Sequence, residues 1–585
     1  MPSSDCASSE PARLSGNTAK ASGFRLKSID ALLVSFLLGL AILLIADSGF
    51  VSGQELWPMP DAVEYAALAV NLDRGLGPVL QFGGNTYPSR YTIGYPLILA
   101  AAYPMLGRRP ERLCLVTALI ALIAIAGLYV LTLWMFDRPS AILAGLLLAT
   151  SPYFLGLSTC VLSDVPSLAV VILAALAFLY AEEKQSLAAS ALCGLLVGLA
   201  VTIRVTNGVV LVGILAAGHL VRPGRLQFAR VIAFAIGFIA FPGVQVCLYL
   251  HYLGSALSNG YAFWQPETYV SYFTAFEPRY LFVPWDSAHR HGNVVAYGIA
   301  MVGLDGVLGQ LNLGTESRTL FHARYGFYPF PVVVFAGLGV FLAIRRKRCN
   351  AVTMRAVYLG LGFLASLLLV YLPYFYVDPR FLLPALFIVF ATAGYGLVSA
   401  NRRLEVGWAG FTVIALDVVL AGAIMVQTVS RLAMPQPRHS KLVADVLAMR
   451  PQLTNAVLVS DISLQWLELY AGGEGTEFVG LSSNFSEQPV NEEHLHWLYV
   501  KRSKGWTGPI PPILLLPGGG LDQAEASKLA AEDKEGRPVY LLILRVTSSQ
   551  WFDVRERQVA EIDRAFSLEK IAHYPEMTLY RLTPH

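Results

Sequence analysis

Six charged residues stand out in an otherwise apolar chain because of their types and their surroundings. They are Asp61 and Glu64 in "PDAVEYAALAVNL", Asp164 in "STCVLSDVPSLAV", Arg90 in "YPSRYTIGYP", Arg204 in "VTIRVTNG" and Arg380 in "YVDPRFLLPALF". A carboxylate set among apolar neighbours can take a proton from a hydroxyl. A guanidinium presents a planar fork of donors that matches a phosphate. Together, such groups describe a site for an anionic headgroup and for a second molecule that must lose a proton. Each residue also has a plainer role. Asp61 and Glu64, one helical turn apart, fit an N-cap and its N3 partner in a capping box. Asp164, beside Pro166, suits the first turn of a helix, where the dipole favours an acid. Each arginine alone can serve as an interfacial residue with its stem in lipid.

The elements that must bring these residues together are apolar runs. Of 585 residues, 55% are hydrophobic and 14% charged, which leaves too little polar surface for a soluble globule of this size. The chain reads as a polytopic α-helical membrane protein. Runs able to cross a bilayer of ~30 Å lie near 29–46, 113–135, 139–153, 165–181, 186–203, 206–221, 230–253, 328–344, 356–374, 381–399 and 408–430, about eleven transmembrane helices. Residues 1–28 form a short cytoplasmic tail, Ser/Ala-rich and read as disordered. The first run is long enough to remain as a signal anchor.

Basic residues in short loops set the orientation. With Arg25 and Lys27 cytoplasmic, "VRPGRLQFAR", "RRKRCNAVTMR" and "NRR" fall on the same side. The opposite side receives loop 47–112, the short loop 154–164, the Arg204 junction, loop 254–327, the junction "YFYVDPRF" and everything after 431. Asp61 follows the first crossing and Asp164 the third, so both reach one external face, with the three arginines. Within loop 47–112, "NTYPSRYTIGYPLILAAAYPMLG" is broken by Pro88, Gly94 and Pro96, and suits an interfacial helix better than a span. Residues 431–585 change character: short β-rich runs ("AVLVSD", "EFVGL", "PILLLP", "VYLLILRV", "MTLYRL") alternate with helical patterns, as in a soluble α/β domain.

A net charge of +3, spread over many loops, gives no nucleic-acid footprint. The six cysteines have neither CxxC nor ligand spacing, which argues against disulfide frameworks and zinc sites. "HRH" at 289–291 lacks a neighbouring acid cluster, and "PGGGLD" at 517–522 lacks dinucleotide-turn spacing. Asp417, within "FTVIALDVVLAGAIMV", reads as a bundle-facing group bonded to a neighbouring helix.

In order and topology, "PDAVEYAALAVNLDRGLG…YPSRYTIGYPLILAAAYPMLG", "STCVLSDVPSLAV" and "DPRFLLPALFIVFATAGYG" resemble the GT-C membrane glycosyltransferases over about residues 29 to 430. The likeness is to bacterial enzymes similar to protein O-mannosyltransferases and to the aminoarabinose transferase of lipid A. The resemblance implies a general base in the first external loop, the place of Asp61, and a second acid after the next external loop, the place of Asp164. It also implies a donor-phosphate contact at Arg90, four residues before Gly94-Tyr95. Many relatives carry an adjacent Asp-Glu pair; here Ala62 follows Asp61 and the second acid is Glu64.

The activity that the resemblance implies is an inverting transfer of a sugar from a polyprenyl-phosphate-linked donor to an acceptor hydroxyl at the outer face of a bacterial-type inner membrane. The acceptor is a lipid, glycan or protein. Asp61, Asp164 and Glu64 are the expected catalytic residues, Arg90, Arg204 and Arg380 the phosphate ligands, and Tyr65, Tyr87 and Tyr95 the pocket wall. No metal or organic cofactor is called for. The competing readings are a transporter or lipid flippase, expected to carry paired broken helices, and a non-catalytic envelope assembly protein whose acids only cap helices.

Overall fold

In a computed structural model the described residues are 26–47, 61–82, 85–221, 228–256, 276–283, 292–304, 328–345, 351–404, 438–462, 464–472, 475–481, 520–544, 559–574 and 577–585, with a few single positions between. Helix α1 (Ser28–Asp47) is followed by α2 (Asp61–Asp73), the antiparallel hairpin β1 (Val79–Phe82) and β2 (Asn85–Pro88), and α3 (Gly94–Ala102). The bundle continues with α4 (Cys114–Met135), α5 (Arg138–Ala149), α6 (Pro152–Ser158), α7 (Asp164–Lys184), α8 (Leu187–Ile203), α9 (Val210–Val221) and α10 (Phe228–Leu253). It closes with α11 (Asn293–Val302), α12 (Phe330–Arg345), α13 (Ala351–Tyr371) and α14 (Phe387–Leu404), the last preceded by a 3-10 turn over Pro379–Ala385.

Apolar side chains alone give no net drive for one helix to leave lipid for another, so close approach decides the pairing. A Cβ on Gly194 of α8 would lie 1.9 Å from the Phe234 carbonyl oxygen of α10, and one on Gly339 of α12 would lie 1.9 Å from that of Thr392 on α14. Only glycine permits these contacts. Among the described residues, five helices are long and apolar enough to cross a membrane, or six if the turn Pro379–Ala385 and α14, bent by 66°, count as one span. Five further apolar helices, Arg138–Ala149, Leu187–Ile203, Val205–His219, Asn293–Val302 and Phe330–Arg345, are shorter than that, and two of the expected runs are shortened by breaks that hydropathy does not register. Ser151 caps α6 at Pro152 and splits the expected run 139–153. The run 206–221 opens as a 3-10 turn, leaving only twelve residues for α9. The expected span 408–430 with Asp417, the motif at 289–291 and most of 254–327 lie outside the described residues.

Among the described residues, the charged side chains of this bundle gather at its two ends. At one end Asp30 binds Arg138, Asp137 binds Arg402, and Glu182 meets Arg230 and Arg355. At the other end lie Asp61, Glu64, Asp164 and the arginines opposite them. The apolar helices between separate two charged layers, as a bilayer requires.

The C-terminal residues form α15 (Arg438–Met449), β3 (Val457–Ser460), α16 (Leu464–Tyr470), β4 (Glu477–Gly480), α17 (Gln523–Lys534), β5 (Val539–Leu544), β6 (Phe566–His573) and β7 (Met577–Pro584). Their sheet runs β4-β3-β5-β7-β6, parallel across the first three strands and antiparallel beyond. Helix α16 lies against α2 and β1, and Trp466 joins the same apolar core as Leu68 and Leu80.

Candidate active site

Asp61 opens α2, and Arg90 stands between the hairpin and α3. The chain is folded so that the two face each other, with Arg90 Nη2 4.0 Å from Asp61 Oδ1. The alignment is made by Glu64. Its carboxylate, fully buried, accepts from Ser89 Oγ at 2.8 Å, from the Arg90 backbone amide at 2.6 Å and from Arg90 Nε at 2.8 Å. Glu64 therefore holds the arginine rather than facing the open side of the site.

The second arginine arrives from 319 positions further along the chain. Arg380 Nη2 donates to Asp61 Oδ2 at 2.9 Å, and Arg380 Nε lies 2.8 Å from Asp378 Oδ2. One guanidinium thus bridges two carboxylates. Asp378 also caps the 3-10 turn by accepting from the Arg380 amide at 3.0 Å, and the Tyr153 hydroxyl lies 3.4 Å from its Oδ1.

The third pair follows from helix polarity. Asp164 begins α7 and Arg204 ends the antiparallel α8, so each charge sits at the helix end that favours it, and they meet at 2.8 Å. Arg204 and Arg380 both lie over the Phe381 ring, at 4.9 Å and 5.6 Å, which joins the Asp164 pair to the Asp61 pair. Asn207 Nδ2 donates to Ser167 Oγ at 2.9 Å beneath them.

The environments push the carboxyls apart. Burial acts to raise Asp61, but Arg380 and Arg90 overcome it, and with the Tyr91 hydroxyl they hold it below the ordinary carboxylate range. For Asp378 burial dominates over Arg380, and the carboxyl is pushed up to about 6. Asp61 is thus the more acidic of the two carboxyls, with about a fifth of its side chain open while Asp378 is sealed.

Tyr65 stacks on Tyr91 with centroids 4.3 Å apart and meets Tyr95 edge-on at 5.3 Å. Tyr95 is fully buried, its hydroxyl 2.6 Å from Thr117 Oγ1, and Tyr87 lies fully buried on β2. Asp61, Glu64, Arg90, Arg204, Arg380 and Asp164 are gathered at one end of the bundle, with Tyr65 beside them; Tyr87 and Tyr95 support them from within the core. Sequence reasoning misses Asp378 and Tyr91. Each adjoins a residue that it finds, Arg380 and Arg90, and the acid before Pro379 reads locally as a cap. Gly94 sets the seat of α3: a Cβ there would fall 2.5 Å from the Thr202 carbonyl carbon, next to Arg204. Among the described residues no three of His, Cys, Asp and Glu are grouped as metal ligands.

Because Glu64 is the nearest countercharge to a buried guanidinium, its loss should be felt as stability. Glu64→Gln is expected to lower folding stability by about 3–5 kcal/mol, the usual result of breaking a buried pair from one side. The readout is the thermal unfolding midpoint of the detergent-solubilised protein, and an unshifted midpoint would show that this pair does not hold the hairpin to α2.

Residues 91–249, a stretch beginning at Tyr91 and including Asp164 and Arg204, match the family model described as dolichyl-phosphate-mannose-protein mannosyltransferase. The chain matches no curated protein sequence. Among solved structures it is similar to ArnT from Cupriavidus metallidurans in the apo state, at 14% identity over 95% of this chain and 98% of that chain, with a TM-score of 0.53. It is similar also to ArnT from Cupriavidus metallidurans bound to undecaprenyl phosphate, at 12% identity over 94% and 97% of the two chains, with a TM-score of 0.56. The chain thus shares its overall fold with these structures over nearly its whole length, and it is a membrane protein with the GT-C fold.

Proposed function

We propose that the protein is an inverting glycosyltransferase that moves a sugar from a polyprenyl-phosphate-linked donor to an acceptor hydroxyl at the outer face of the membrane. The observation that carries this reading is Asp61: a carboxylate on a helix outside the apolar bundle, partly open, held by Arg380 and facing Arg90. The similarity in fold to ArnT, one structure of which is bound to undecaprenyl phosphate, supports a polyprenyl phosphate as donor lipid. Loop charge supports an extracytoplasmic site and C-terminal α/β domain, in a bacterial-type inner membrane with the N-terminus cytoplasmic. Lipid-linked donors suit that side, where nucleotide sugars are absent.

In the proposed reaction the acceptor oxygen attacks the anomeric carbon from the face opposite the phosphate. The new carbon–oxygen bond forms as the bond to the phosphate oxygen breaks, and the electron pair leaves with the phosphate. Asp61 takes the acceptor proton. Arg380 by itself lowers the basicity of Asp61; an arriving phosphate competes for that guanidinium, so Asp61 regains basicity when the donor is in place. Arg380 and Arg90, with Arg204 behind Phe381, stabilise the charge that grows on the leaving phosphate. Asp164, sealed against Arg204, orients that arginine, and Tyr65 forms part of the wall.

The test compares cells with and without the protein. Those lacking it should accumulate one lipid-linked sugar and lose the matching sugar from a surface glycan, lipid or protein. Identical lipid-linked pools and identical surface sugars would reject the proposed transfer.

A further inference from the structure

The C-terminal unit reaches the same helix that carries Asp61. Asn71 lies ten residues after Asp61 on α2, about 15 Å along its axis at 1.5 Å per residue. Its side chain is buried, and its Nδ2 donates to the Val79 carbonyl of β1 at 2.8 Å and to Glu468 Oε1 at 3.2 Å. Glu468 belongs to α16. The Asn71 amide therefore ties together α2, the hairpin that leads into Arg90, and α16 of the C-terminal unit.

The tie rests on a rigid base. Trp466 and Leu467 are fully buried and Tyr470 nearly so, and Trp466 packs on Tyr470 with ring centroids 4.8 Å apart. Helix α16 springs from β3, the middle strand of the parallel half of the sheet. A carboxyl placed in such surroundings is costly unless its bonds are made. Burial pushes it up to about 7, against the pull of Asn71 and Arg74. A purely apolar contact would bury as much surface without that cost, so the polar contact points to register: it fixes where α2 sits along and around its axis.

We propose that Glu468 is a positioning residue for the Asp61 site, acting through Asn71 and the length of α2. The inference rests on the proposed function for what the site does. It adds that the C-terminal unit sets the pose of the helix bearing the base, and with it the spacing of Asp61 from Arg380 and Arg90. Rigid side-chain placement is what a catalytic constellation needs, and a displacement of about 1 Å at a reacting group is costly.

Hydrogen exchange on the full-length protein in lipid nanodiscs tests the tie, with binding of undecaprenyl phosphate as the second readout. Glu468→Ala is expected to speed exchange of the 61–73 amides at least tenfold and to weaken undecaprenyl phosphate binding at least threefold. Glu468→Gln keeps the accepting oxygen and should restore both to within twofold of wild type, which a residue needed only for its charge would not do. Amides of β5 and β7 in the same samples report whether the sheet stays folded. If Glu468→Ala loosens them, Asn71→Ala breaks the same bond from the other side and decides the matter. Unchanged 61–73 exchange in a variant whose sheet stays protected overturns the proposal. Failure of the wild type to bind undecaprenyl phosphate counts instead against the proposed function, while the exchange result still reports on the tie.

Discussion

Asp61→Asn is expected to lower sugar transfer by about 10²–10⁴-fold, the range for loss of a general base, with the protein still inserted at its normal level. Asparagine keeps an oxygen that can cap α2 and can still accept from Arg380, so the fold has little reason to change. What it cannot do is take a proton. If Asp61 serves only as a helix cap, the Asn variant transfers sugar at nearly the wild-type rate. The measurement is the loss of the lipid-linked sugar, and the gain of its transfer product, in membranes carrying either form at matched amounts. Wild-type turnover by the Asn variant would remove Asp61 from the chemistry and leave it as a cap.

Much of the site is legible in the sequence because its residues sit at helix ends, where the reasons for their placement are local. Asp61 and Glu64 open α2, and Asp164 opens α7 beside Pro166. The break signals Pro88, Gly94 and Pro96 mark a short helix, and α3 runs over Gly94–Ala102. Partnership is the part that sequence hides. The Asp61–Arg380 contact spans 319 positions, and nothing local to either residue names the other. Glu64 reads as a capping-box acid yet spends its oxygens on Ser89 and Arg90. Asp378 looks like a cap before a proline, and it is one, while also pairing with Arg380. Span lengths are hidden for a related reason: hydropathy sums over Ser151-Pro152 without registering that the helix restarts there.

In the C-terminal unit the runs "AVLVSD", "EFVGL" and "VYLLILRV" contain β3, β4 and β5, and "MTLYRL" makes up the first six residues of β7. Strand β6, "FSLEKIAH", has a charged, half-open burial pattern and gives no apolar run to find; among the described residues it is an edge strand, paired with β7.

Arg380 carries the other large effect. Its guanidinium spans two carboxylates, with Nη2 2.9 Å from Asp61 and Nε 2.8 Å from Asp378. An arginine that merely anchors the interface could be exchanged for lysine with little change, since both bury an aliphatic stem and keep a charge at the end. A phosphate clamp behaves differently, because a single ammonium cannot hold Asp378 and present two donors to a phosphate at once. Arg380→Lys is therefore expected to weaken donor binding about tenfold or more, equivalent to about 1.4 kcal/mol.

Direct binding of undecaprenyl phosphate to the purified full-length protein tests the central claim, that this charged end of the bundle is a polyprenyl-phosphate site. Wild type should bind it saturably, at one site per chain, and Arg380→Lys with an unchanged thermal midpoint should show a Kd raised by about tenfold or more. Binding that does not saturate in the wild type, or an equal Kd in the two proteins, would contradict it.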